Sequence, residues 1–155
     1  MEARKVGDST TVVSQFMLPT DANATGNVHG GTIMKLVDTA GGVVAMRHCR
    51  RRVVTARIDE MSFLHPVYVG DLVTLRASMN GVGRTSMEVG VRVEAENMRT
   101  GEVTHTATAN LVYVALDDDG RPVEVPRLIP ETDEDRRSME ESRLRREHRE
   151  RHHSS

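Results

Sequence analysis

Tryptophan is absent from this chain of 155 residues, phenylalanine and tyrosine occur twice each, and there is one cysteine. Without large rings, the core falls to valine, alanine, leucine and nine methionines, whose flexible thioethers suit an adaptable apolar surface or tunnel. The lone thiol, Cys49, excludes an intramolecular disulfide, gives no metal cluster and points to a reducing, cytoplasmic setting. No histidine is spaced to activate it, so a small residue at a helix end is expected. An excess of one charge is also lacking. With 21 basic and 23 acidic side chains the formal net charge is −2, which argues against a nucleic-acid partner. No apolar run is long enough to span a bilayer or shaped as a signal peptide, so no membrane partner is expected. The length fits one domain with a real core.

Chemistry is concentrated in one place. The stretch Asp21-Ala22-Asn23-Ala24-Thr25-Gly26-Asn27-Val28-His29-Gly30-Gly31 reads as a polar turn leading into a helix start. If Gly30 and Gly31 open that helix, their unpaired N–H groups carry the positive end of its dipole and suit an oxyanion. The alternative is a tight turn that needs glycine for geometry alone. The run from Thr32 to His48 is too long for a buried strand and predicts a mostly buried helix. Asp38 interrupts it beyond the first turn, where neither capping nor the helix dipole explains a carboxylate. On helical spacing it looks along Met34, Gly41, Gly42 and Ala45, a lane of small residues into which another chain or a ligand could fit. A buried carboxylate requires a partner, for which the backbone, Arg47 and Arg57 are the candidates. Held close to amide donors, the same acid suits a general base for water.

Around this helix the sequence alternates with period two. Thr10 to Leu18 reads as an opening strand, and Arg50, Arg51 and Arg52 as a solvated basic loop. In the next strand Val54, Ala56 and Ile58 share a face but Met61 and Phe63 fall on the opposite parity, which a bulge near Asp59 and Glu60 reconciles. Three long strands follow, with Val73 to Met79, Met87 to Ala95 and Ala107 to Ala115 supplying apolar faces at every second residue. Turns at Gly81-Val82-Gly83-Arg84 and Arg99-Thr100-Gly101 join them as antiparallel hairpins. The expected fold class is α+β, a curved antiparallel sheet in one layer and a long apolar helix in the other. Residues 1–126 form the expected domain. Residues 127–155 form a charged C-terminal tail, either a solvated helix laced with ion pairs or a disordered segment. Its His152 and His153 are poor grounds for a metal site.

The segments Pro19 to Gly31, Val37-Asp38-Thr39-Ala40-Gly41-Gly42 and Phe63-Leu64-His65-Pro66-Val67-Tyr68-Val69-Gly70-Asp71 occur in an order and spacing that resembles the hotdog-fold acyl-coenzyme A thioesterases. The likeness covers most of residues 10 to 115 and is greatest to the broad-specificity bacterial enzymes and the brain-type hydrolases. It implies a hotdog fold, a sheet wrapped around one long central helix. It also implies a dimer with its acyl-CoA site between protomers, commonly a hexamer built as a trimer of dimers. Asn23 and Asp38 fall on the family's catalytic positions, and the Gly30 and Gly31 amides on the donors to the thioester carbonyl. His29 stands beside the site as a helix-start residue. Arg84 and Ser86, heading a strand, are the candidates to bind the phosphates of coenzyme A. No cofactor is implied, since coenzyme A belongs to substrate and product. Two other readings remain open on the same fold: a non-catalytic acyl-CoA binding module, and a dehydratase acting on acyl thioesters through a histidine paired with an acid.

Overall fold

The computed structural model describes residues 1–153, apart from the side chains of Glu60 and His153, so the expected histidine pair lies partly outside the described residues. In chain order the elements are β1 (Arg4–Lys5), β2 (Thr11–Phe16), α1 (Gly30–Cys49), β3 (Arg52–Phe63), β4 (Leu72–Val82), β5 (Ser86–Glu96), β6 (Val103–Leu116), β7 (Leu128–Ile129) and α2 (Asp133–His153). Strands β2-β4-β5-β6-β3 form one antiparallel sheet, while β1 and β7 pair in parallel as a small clasp.

The period-two faces of β4, β5 and β6 make the core. All fourteen positions, from Val73 through Ala115, are at most 5% exposed. Against them lies the buried stripe of α1, including Ile33, Val37, Ala40, Val44 and Ala45. This is the hotdog arrangement the resemblance implies. At the end of α1, Arg50 takes a left-handed conformation (φ 55°) and its N–H donates to the carbonyl of Met46 at 2.7 Å. Cys49 is buried at this helix end, and burial pushes its thiol up from the ordinary value.

In β3 the pairing slips between Thr55 and Arg57 and again between Asp59 and Ser62, so the parity conflict is resolved by two irregularities. β3 has a neighbour on one side only, and Val54, Ile58, Phe63 and Leu64 along it and just beyond are exposed.

The charged C-terminal segment adopts its helical form, and α2 adds a layer that the two-layer expectation lacks. It lies against β4 and the polar face of the sheet: Ser142 is 1% exposed and Arg145 forks onto Glu88, itself expected to face away but 3% exposed. Gly81 makes this approach possible, since a β-carbon there would lie 2.7 Å from the Ser142 hydroxyl.

Candidate active site

The polar turn folds on itself through Asn23. Its Oδ1 accepts from the N–H of Thr25 (3.0 Å), the hydroxyl of Thr25 (2.7 Å) and the N–H of Asn27 (3.2 Å). The oxygen is thus committed to the turn, and the Nδ2 amide is the end that can donate outward. Val28 N–H donates to Val67 O at 2.7 Å and Asn27 bridges to Tyr68, which stitches the turn to the Phe63 to Asp71 segment. Together they line a cavity of about 310 Å³ with Asn23, Gly30, Ile33, Phe63, His65 and Thr106 on its wall.

Gly30 and Gly31 open α1. The first bonds onto the helix start come from Thr32 and Ile33, both to His29 O, so the two glycine amides precede the hydrogen-bonded ladder. Neither glycine has positive φ, a β-carbon at Gly30 would meet the Phe63 ring at an ordinary 3.6 Å, and at Gly31 it would meet nothing within 4 Å. Geometry within the protomer therefore does not require glycine here, whereas close approach of a ligand to bare amides would. His29 is exposed at the N-cap; its N–H donates to Asp21 O and its side chain makes no capping bond.

Asp38 is partly buried on α1. Neither arginine expected as its partner serves: Arg47 reaches Thr11 Oγ1 at 3.0 Å, and Arg57 pairs with Asp59 at 2.8 Å. Two hydroxyls do. Thr55 donates to Oδ1 at 2.8 Å and Tyr113 to Oδ1 at 3.1 Å and to the Asp38 carbonyl at 2.8 Å. The expected lane beside Asp38 is closed at Gly41, because the Tyr113 ring lies against it.

One protomer does not bring the two halves together. Asp38 lies eight residues beyond Gly30 on one helix, about 12 Å along its axis, and is not on the wall of the Asn23 cavity. Arg84 and Ser86 stand apart from both, at the β4–β5 turn. Arg127 donates to Gly83 O and Val125 O, Arg146 donates to Val82 O at 3.0 Å, and Val125 N–H donates to Arg84 O at 2.9 Å. Thr55, Tyr113, Arg127 and Arg146 were not singled out from sequence. Tyr113 alone carries a local signal, a tyrosine on the apolar face of a strand, where its hydroxyl needs a partner. Among the described residues no group of three or more His, Cys, Asp or Glu side chains is placed to hold a metal ion.

The fold, with a carboxylate fixed by hydroxyls on its central helix and two glycines at that helix's start, is that of the thioesterases. Residues 25–102 match the thioesterase superfamily, and the chain belongs to that family. It is 42% identical over 134 residues to an uncharacterized acyl-CoA thioester hydrolase of Bacillus subtilis, covering 86% of this chain and 78% of that protein. A solved apo-hexameric acyl-CoA thioesterase is 38% identical with a TM-score of 0.93, covering 98% of this chain and 97% of its own. The Staphylococcus aureus acyl-CoA hydrolase, solved with butyryl coenzyme A and coenzyme A, is 30% identical with a TM-score of 0.89, covering 97% of this chain and 92% of its own. Alanine variants of that hydrolase at one asparagine, one aspartate and one threonine are also known, spaced by 15 and 17 residues; Asn23, Asp38 and Thr55 have the same spacing.

Proposed function

We propose that this protein hydrolyses acyl-CoA thioesters to a free fatty acid and coenzyme A, with Asp38 as general base or nucleophile. The observation that carries the proposal is the carboxylate of Asp38, held at one oxygen by Thr55 and Tyr113. A protein that only binds ligand has no use for an acid held this way. In the base form of the mechanism, Asp38 takes a proton from water as its oxygen adds to the thioester carbonyl. Collapse of the tetrahedral intermediate breaks the carbon–sulfur bond, and the proton passes to the departing thiolate. Asn23 Nδ2 donates to the carbonyl or the water, and the Gly30 and Gly31 amides stabilise the oxyanion. General-base assistance is worth ~10²–10⁴-fold and one oxyanion donor ~10²–10³-fold.

Each site takes Asn23 and the glycine amides from one protomer and Asp38 from its partner. The separation of the two halves within one chain and the exposed apolar row on the open edge of β3 support such a dimer, which associates further into a hexamer. His29, Arg84 and Ser86 bind coenzyme A, no further cofactor takes part, and the single thiol suits a cytoplasmic setting.

The test is to incubate the full chain with acyl-CoAs of several chain lengths and follow free thiol. Release above the uncatalysed rate is expected. No release at any length would overturn the proposal.

A further inference from the structure

We propose that Tyr113 is a positioning residue for the Asp38 carboxylate, and that Gly41 is a glycine in order to admit it. The inference rests on the role proposed for Asp38.

Three elements meet at this carboxylate: Asp38 from α1, Thr55 from β3 and Tyr113 from β6. A carboxylate on a helix turns freely about its last torsion unless donors fix its plane. Here both donors converge on Oδ1, which assigns the attack on water or on the thioester carbon in the proposed reaction to Oδ2. Tyr113 is 2% exposed, and a hydroxyl so buried requires a partner. Its one proton is shared between the Asp38 carbonyl and Oδ1, which ties the carboxylate to the helix backbone at the same residue.

The helix yields to this contact. A β-carbon at Gly41 would overlap the Tyr113 hydroxyl and lie 3.2 Å from two ring carbons, whereas one at Gly42 would sit at an ordinary 3.7 Å. Glycine inside a helix is less stable than alanine, so space is the reason for Gly41 and not for Gly42. Burial first, and then the negative charge and hydrogen bond of Asp38, hold the phenol above its ordinary range, so it stays a donor through neutral pH. Charged side chains on the strands include pairs engaged elsewhere: Arg57 with Asp59, Arg76 and Arg92 with Glu94, and Glu88 with Arg145. On α1, Arg47 bonds to Thr11, while Lys35 is exposed.

The test compares Tyr113→Phe with wild type in kcat and KM, using butyryl-CoA and the assembled full chain. Expected are a kcat lower by about tenfold or more and a KM within twofold, the split that lost positioning of one reacting group produces. Gly41→Ala, which leaves the phenol present but displaced, is expected to lower kcat likewise, and the double variant to do little more than either single one. If Asp38→Asn is inactive while Tyr113→Phe keeps wild-type kcat and KM, the positioning role is wrong and the Asp38 reading stands. If Asp38→Asn itself turns over normally, the Asp38 reading has failed. Should Tyr113→Phe not assemble, Gly41→Ala decides: wild-type kcat and KM there overturn the role.

Discussion

Thr55 on β3 donates a 2.8 Å hydrogen bond to Oδ1 of Asp38 on α1. The strand that holds the acid is therefore the strand whose other edge is open. In the proposed dimer that edge meets its copy, so assembly and orientation of the acid depend on one element.

Replacing Thr55 by valine keeps the β-branched shape that suits a strand and removes the donor. A hydrogen bond to a charged group is worth ~1.5–3 kcal/mol, so kcat should fall about tenfold or more while KM stays near wild type. Thr55→Ser retains a hydroxyl and should recover most of the loss. Steady-state kinetics of both variants check this.

At the proposed coenzyme A end, Arg127 and Arg146 hold the carbonyls of Gly83 and Val82 and so fix the turn that carries Arg84 and Ser86. Arg146→Ala should raise KM for acyl-CoA several-fold with kcat unchanged, the mark of lost uniform binding. With an acyl-pantetheine, which lacks the nucleotide phosphates, the variant and wild type should have the same KM.

A buried ion pair helps to join the α2 layer to the sheet. Glu88 is 3% exposed, and Arg145 meets it with two bonds of 2.9 and 2.7 Å. Burial alone would raise this carboxyl, but Arg145, with Asn80 and Ser142, outweighs it and holds the group below its ordinary value. A depressed carboxylate contributes stability that is present above its unfolded value and lost as pH falls through the folded one. Arg145→Ala removes the nearer cation from a buried charge, leaving Arg149 at 3.9 Å and the Asn80 amide at 3.0 Å, and should cost about 3 kcal/mol at pH 7. In denaturant unfolding the gap to wild type should narrow as the pH falls below about 4.5, where the unfolded carboxylate takes up its proton.

The alternating faces of β4, β5 and β6 could be read from sequence because the pleat sets side-chain direction from local order alone. The partners of Asp38 could not, because Thr55 lies 17 residues away and Tyr113 lies 75 away, while the expected Arg57 is taken by Asp59, two residues along its own strand. The same holds for α2. Its pairs within the helix, Arg143 with Glu140 and with Glu147, look like those of any solvated helix. Arg145 and Arg149 turn to Glu88 and Asp59 instead, and only the folded sheet brings those acids there. For the two halves of the proposed site, the local pattern singled out Asp38 and the Gly30 and Gly31 amides, while the resemblance supplied Asn23 and the dimer.

That shared site is tested most directly by mixing two inactive variants. Asn23→Ala and Asp38→Asn are each expected to lose at least about 100-fold in kcat. Subunits exchanged at random place both changes in one site of a mixed dimer and leave its other site intact, so about a quarter of wild-type activity should return. Recovery to that level, with neither parent active alone, is the predicted result. Two inactive parents whose mixture stays inactive despite proven subunit exchange would contradict a site built from Asn23 of one protomer and Asp38 of its partner.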